Sequence, residues 1–398
     1  MAYTDPSLAV WMWRPDWSRP LIERLEWMTN VMPSYSGKEQ RVALRSGPRQ
    51  GFEFAFAAEG AERRRLENVL YAWGARTWAL PVWSDGEIVS TPISVGSTSI
   101  SCDTATRDFH DGGLGIVFSP GFSACELFEI DVASSGLVTL TSPMSGAWPA
   151  GSSVFPVRRA RLEDRQLVSR FVADVAYGVA RFEVDGAVPH VAAADPAEYR
   201  GHPVMAQRPE WSEDPELAYQ RKLAEFDPRT GVRFLEDESG LPDTLQAYRW
   251  VLTSRAEIEA FRQFMYARSG RHRAIWIPTW TDDLLVRAAV SAVATEIDVV
   301  ADGFTTYVDA GVHRRDIRVE LADGTIFYRR ITGAQVIDAA TERLVIDASF
   351  GRVIQPAEFL HVSFMALCRL DQDSVELAWN TGEQADAVAV FRTMNNDV

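Results

Sequence analysis

Residues Glu62 to Asp85 read ERRRLENVLYAWGARTWALPVWSD, a charged helix pattern that turns into the extended run Trp78-Ala79-Leu80-Pro81-Val82-Trp83-Ser84-Asp85. A second version stands at Arg255 to Asp282. There the helical pattern Arg255–Arg268 leads through Gly270 into Ile275-Trp276-Ile277-Pro278-Thr279-Trp280-Thr281-Asp282. Pro81 and Pro278 lie 197 positions apart, and the matching Trp and Asp keep that offset. Leu66, Val69, Leu70 and Trp73 recur at helical spacing, as do Ile258, Phe261, Met265 and, less closely, Arg268. Ser254 is an expected N-cap with Glu257 as its capping-box partner, and Gly74 and Gly270 are expected helix stops. The two stretches predict one unit used twice.

The echo extends in both directions. Upstream, Arg14-Pro15-Asp16-Trp17-Ser18 recurs as Arg208-Pro209-Glu210-Trp211-Ser212, 194 positions on. Extended segments at 39–45 and 231–236 are followed by the turns Ser46-Gly47-Pro48 and Ser239-Gly240-Leu241-Pro242. Gly51-Phe52-Glu53-Phe54-Ala55-Phe56 alternates like Ala247-Tyr248-Arg249-Trp250-Val251-Leu252, and both predict strands with one buried face. Downstream, Thr98-Ser99-Ile100 matches Thr295-Glu296-Ile297 at 197, and Leu137-Val138 matches Leu344-Val345 at 207. Pro149-Ala150 matches Pro356-Ala357 at 207, and Arg161-Leu162-Glu163 matches Arg369-Leu370-Asp371 at 208. The drift in offset fits insertions confined to turns.

Short alternating runs between these anchors predict a small all-β module in each copy, at about residues 86–160 and 284–368, with strand pairs at 166–184 and 374–393 behind them. The expected organisation is an amino-terminal Trp/Pro-rich arm (1–35), a first repeat (36–184), a linker (185–205) and a second repeat (206–398).

Composition narrows the function. The 398 residues are 46% hydrophobic and 11% aromatic, as in a packed protein and unlike a disordered one. Thirteen Trp hint at assembly, since Trp gives large contact area at small entropy cost. A net charge of −15 argues against a surface built to neutralise phosphates, while an acidic wall would let DNA slide past without sticking. Cys102, Cys125 and Cys368 form no CxxC or Cys/His cluster, so neither a disulfide framework nor a zinc site is expected, and a reducing cytoplasm is the expected place of folding. The amino terminus lacks a basic region followed by a long apolar run, and no apolar run approaches the roughly 20 residues of a membrane helix, so no signal peptide or membrane insertion is expected.

No catalytic constellation emerges. Gly121-Phe122-Ser123-Ala124-Cys125 lacks the second Gly of a nucleophile elbow and reads as a hairpin loop. Asp111-Gly112-Gly113-Leu114-Gly115 has no following helix or Lys and reads as a turn. The six His are scattered; His190 and His202 bracket a stretch with Asp195 and Glu198 that reads as solvated linker, not as a metal site. No cofactor is expected, and no pair of carboxylates stands out for acid–base work. Trp73, Trp78, Trp83, Trp276 and Trp280 follow element positions and read mostly as core. Trp11, Trp13 and Trp17 read as an arm that packs on a neighbouring surface. The candidate interface residues are Trp11, Trp13, Trp17, Trp83, Trp211 and Trp280. Sugar stacking by exposed Trp is disfavoured, because the β modules contain only Trp148.

The strand-turn-strand followed by ERRRLENxLYxWGxRxWxLPVWSD resembles phage tail proteins of the distal-tail and baseplate type, whose units carry a charged helix followed by an extended fxxxxW strand. The second copy, AEIEAFRQFMYARSGRHRAIWIPTWTDD, is similar, with a helix ending in ARxGR, then aromatic strand residues and an acidic turn. The resemblance covers residues 36–85 and 228–283, and the modules only as a general type. It implies a mainly β fold with a few helices (α+β): two tandem copies of a tail-tube-like β-sandwich or barrel, each with one flanking helix and one small β module. It also implies a non-enzymatic virion protein of the tail tip of a long, non-contractile tail, made in the host cytoplasm. Such a protein joins the tail tube protein to hub and fibre proteins around an acidic channel for passing DNA. Three chains would make a pseudo-sixfold ring, or six chains would contribute one unit each. A glycan- or receptor-binding module is the alternative, and a glycan depolymerase comes third.

Overall fold

The computed structural model describes residues 7–34, 38–73, 76–186, 198–211, 215–238, 240–308 and 313–394. Gly74, His190, Asp195, Ser212 and Ser239 lie outside these, as does most of the expected linker. The first half opens with β1 (Ala9–Val10), β2 (Leu21–Glu26), the hairpin β3 (Thr29–Pro33) and β4 (Glu39–Ala43), and β5 (Arg49–Glu59). Helix α1 (Gly60–Trp73) and β6 (Thr77–Pro81) follow. A module of β7 (Glu87–Ile88), β8 (Ser99–Ile100), β9 (Leu114–Phe118), β10 (Cys125–Ser134) and β11 (Leu137–Leu140) comes next. Then β12 (Ser153–Leu162), β13 (Val168–Val172) and β14 (Val175–Val184) complete the half.

The second half begins with β15 (Glu198–Tyr199), β16 (His202–Pro203), β17 (Glu216–Gln220) and the hairpin β18 (Leu223–Phe226) and β19 (Phe234–Asp237). It continues with β20 (Asp243–Leu252), α2 (Arg255–Arg268) and β21 (Ile275–Pro278). Its module holds β22 (Glu296–Val300), the short helix α3 (Phe304–Tyr307), β23 (Asp316–Leu321), β24 (Ile326–Asp338) and β25 (Thr341–Ile346). The half ends with β26 (Phe359–Leu370), β27 (Ser374–Thr381) and β28 (Gln384–Thr393). The protein is mainly β, as expected, and almost every pairing is antiparallel; β1 beside β6 is an exception.

Eight strands make one antiparallel sheet in the order β13–β14–β5–β2–β27–β28–β20–β17, four from each half. Alternation explains its two faces. Phe52, Phe54, Phe56 and Ala58 of β5 are buried, and Tyr248, Trp250 and Leu252 of β20 match them. Large residues meet small ones across the ladder: Phe54 faces Ala180 and Phe56 faces Gly178, while Tyr248 faces Ala389 and Trp250 faces Ala387. Helix α1 packs on β5 and β14, and α2 on β20 and β28. One hydrophobic core runs through both halves, joining Trp11, Phe54 and Trp78 to Trp250, Phe261 and Trp379. Each module has a core of its own, around Ile130 and Val138 in one and Ile331 and Leu344 in the other, and a smaller cluster gathers around Trp276.

The pairing pattern of one half recurs in the other. Pro81 faces Val157 across β6 and β12, and Pro278 faces Met365 across β21 and β26. Ile130 faces Leu140 beside a bulge, and Ile331 faces Ile346 beside a bulge at the matching place. Sheet register also corrects two sequence alignments. Alternation aligns Phe54 with Trp250, but the residue held as Trp250 is held is Phe56. Likewise Val138 stands opposite Ile100 as Leu344 stands opposite Ile297, so Val138 answers to Leu344 rather than to Val345.

The expected arm of residues 1–35 is no arm over its described part. Its β2 sits at the middle of the eight-stranded sheet because Leu21 and Leu25 alternate inward and are buried. Trp11 donates its backbone N–H to the Ala79 carbonyl at 3.1 Å, and Met205 donates to the Trp276 carbonyl at 2.9 Å. Asp16 and Glu210 bond to the Ala55 and Arg249 carbonyls in the same way, each at 2.8 Å. The described end of the expected linker is thus also built in: Tyr199 and Val204 pack with Trp276, Met365 and Leu367. At the end of α2 the chain turns left-handed at Ser269 (φ +53°) before the expected Gly270 (φ +65°). The Ser254 side chain accepts from the Glu257 backbone N–H as an N-cap should. The Glu257 carboxylate, however, accepts from the Thr253 N–H at 2.8 Å and not from Ser254, so the expected capping box is displaced by one residue.

Candidate assembly surface

The eight-stranded sheet ends in two open edges. Among the described residues β13 pairs with β14 alone and β17 with β20 alone. Phe171 of β13 is 80% exposed and Tyr219 of β17 is 61% exposed, with Val172 and Leu217 exposed beside them. An unpaired edge that shows apolar side chains is a template for another strand. The approach of β13 to β14 is set by Gly178, where an added Cβ would meet the Leu167 backbone carbonyl oxygen at 2.6 Å. Gly178→Ala is therefore expected to cost roughly 1–3 kcal/mol and loosen β13, measured by thermal unfolding and by faster amide exchange over residues 168–172. Unchanged exchange there would reject this account of the edge.

The solvent face of the sheet is charged but largely self-paired. Arg181 bonds to Glu53 at 2.8 Å, Arg24 to Glu376 at 2.8 Å and Arg249 to Asp386 at 3.0 Å. A groove on this face runs between Arg24, Arg49, Glu53, Arg161, Arg181 and Glu183. Cationic side chains engaged with carboxylates are poor partners for phosphate.

The junction between the halves is built differently. β2 pairs with β27 over Leu21 to Glu26, and the hairpin β3–β4 reaches over the second half, where Glu39 takes two bonds from Arg369, each 2.7 Å. Beneath the junction lies a buried ionic cluster. Glu23 of β2 accepts from Arg262 of α2, from Trp379 Nε1 at 3.0 Å and from Gln50 Nε2 at 2.8 Å. Asp85 accepts from Arg255 at 2.8 Å and from the Asp108 backbone N–H at 2.9 Å. Both guanidiniums lie about 5 Å over the Trp379 ring: Arg255 at 5.1 Å and Arg262 at 4.9 Å. Burial pushes the Asp85 carboxyl up, but Arg255 and Arg262 outweigh it and hold it at about 2. All four charged groups are buried, and the Glu23–Arg262 and Asp85–Arg255 bonds tie the first half to α2 of the second.

Of the six candidate interface residues, Trp11, Trp13, Trp83 and Trp280 are buried in the chain's own core, and Trp17 and Trp211 stay 40% and 41% exposed. Trp11 and Trp13 are buried because β1 lies against β6 and draws the stretch after it under the sheet. Trp280 sits at φ +61°, with Arg318 4.8 Å over its ring. Trp148 is buried and donates to Glu126 at 3.0 Å. Phe122 and Gly121 form a left-handed turn between β9 and β10, so that stretch is the expected hairpin loop. Among the described residues no group of three or more His, Cys, Asp or Glu could hold a metal, and no helix is long and apolar enough to cross a membrane. The open edges and the ionic cluster escaped the sequence reading; the alternation of Leu217 and Tyr219 was the signal for the first, and no local signal announced the second. Compared with protein-family models and with curated protein sequences, the chain matches none.

Proposed function

We propose that this chain is a tandem duplication and a structural protein of a phage tail tip, three copies of which close a pseudo-sixfold ring between the tail tube and the hub and fibres. The observation that carries the reading is the eight-stranded sheet. It is made of two four-stranded halves of like order and register, and it stops at two exposed edges whose inner counterparts are paired. A head-to-tail contact of one surface with a different one generates a ring when the rotation closes. In that ring the self-paired face of the sheet lines the passage for DNA, which is cargo and not ligand. The modules, each with a core of its own, serve fibres or neighbouring baseplate proteins, while β9 ties the first of them to the shared core through Leu114, Ile116 and Phe118.

Mass photometry on the purified chain tests this. The expected result is a species of three copies that grows with concentration or, where a tail is needed as template, an annulus of the chain at the end of purified tails. A chain that stays monomeric in solution and is missing from purified virions overturns the reading.

A further inference from the structure

Resting on the ring reading above, we propose that β13 of one copy pairs antiparallel with β17 of the next in the register that β2 keeps with β27 inside the chain. The seam between chains then repeats the seam within each chain.

The inner seam supplies the template. β2 holds β5 on one side and β27 on the other, with Leu21 opposite Trp379, Glu23 opposite Leu377 and Leu25 opposite Val375. The outer strands keep the same registers on their paired sides. Ile22 faces Glu53, and Glu216 faces Ala247, both residues having moved by 194 positions. Leu377 faces Ala387, and Val168 faces Gly178, both having moved by 209. Even the bulge before the hairpin turn recurs, between Arg170 and Val172 and between Trp379 and Thr381. In an antiparallel ladder, register against one neighbour fixes which N–H and C=O groups point to the other side. The groups free on β17 and β13 are therefore those that β2 and β27 spend on each other.

Side chains agree with the backbone. Leu217 and Tyr219 occupy the places of Glu23 and Leu25, which the inner seam buries. The helices agree as well. Tyr266 of α2 is 8% exposed and packs on Trp27 just past β2, with ring centroids 5.8 Å apart. Its counterpart on α1, Tyr71, is 96% exposed, and the residue standing past β17 as Trp27 stands past β2 is Arg221. A Tyr ring over a guanidinium from the next copy completes the contact. Carried across, the register places Leu217 opposite Val168 and Glu216 opposite Ser169 of the neighbour. Because the two edges differ, the contact is head-to-tail.

Cysteine pairs test it: Leu217→Cys with Val168→Cys in one chain and, separately, Glu216→Cys with Ser169→Cys. Adjacent antiparallel pairs alternate between about 4.5 and 5.5 Å in Cα spacing, so at least one of the two is placed to bridge. On oxidation the double variants should give a ladder that ends at a covalently closed trimer, while wild type and each single variant give none. Leu217→Glu should weaken assembly about tenfold or more and leave the monomer's melting temperature unchanged. Crosslinking by a single variant means symmetric edge pairing and overturns the proposal. Oligomers that form yet crosslink through neither pair overturn the seam and leave the ring reading standing. Absence of any oligomer, in solution or on tails, removes both.

Discussion

Arg262→Ala is expected to cost the fold about 3–5 kcal/mol, read as a lower denaturant midpoint with an unchanged slope, because it strands a carboxylate that has no route to water. Arg262 and Glu23 are both buried, and their bond joins α2 of the second half to β2 of the first. Without the guanidinium, Glu23 keeps only the neutral donors Trp379 and Gln50, and Asp85 keeps Arg255. Changing Arg262→Met together with Glu23→Leu removes both charges at once and should recover most of the loss. If the double variant is as unstable as the single one, the cost lies in packing and the account fails.

The same cluster predicts an acid response with a defined sign. The folded Asp85 carboxyl, at about 2, lies below the roughly 3.9 of an unfolded Asp. Its stabilisation is therefore complete above about pH 4 and is lost as pH falls towards 2, on the order of 2 kcal/mol. Asp85→Asn should start lower and lose less across that window, measured by urea unfolding at each pH. Parallel wild-type and variant curves would dismiss Asp85 as a source of the acid response.

The legibility of this fold follows from how local each signal is. Helix α2 could be read to its ends, since its cap and its buried stripe of Ile258, Phe261 and Met265 lie within one segment. The strand match failed by two positions for a physical reason: a slip of two leaves strand alternation intact, so Phe54 and Phe56 look equally good opposite Trp250. Only the ladder, with Gly178 across from Phe56 and Ala387 across from Trp250, separates them. β2 was missed because its six residues alternate with charge and its partner β27 is some 350 positions away. Glu23, Asp85, Arg255 and Arg262 carry no motif; they become a cluster only when β2 meets α2. The open edges were half legible, as exposed apolar alternation, but their likeness to the inner seam lies in register alone.

Trp11→Ala should cost about 3–5 kcal/mol in the isolated chain, and the way the loss depends on concentration decides between core and arm. The Trp11 ring is fully buried and meets Trp13, Phe182, Phe56 and Trp78 edge-on, with centroids 5.0, 5.1, 5.4 and 5.5 Å away. Its Nε1 donates to the Trp13 carbonyl at 2.8 Å. Truncation opens a cavity walled by rings that stand on rigid strands and cannot collapse into it, so most of the packing is forfeited. Trp11→Phe keeps an edge-on ring and should cost distinctly less. For a core residue the melting temperature falls by the same amount at every protein concentration, while the proposed ring would assemble as before once the chain is folded. An arm that served a neighbouring subunit would do the reverse: an unchanged monomer and weakened assembly. The second pattern would return Trp11 to the interface and remove β1 from the shared core.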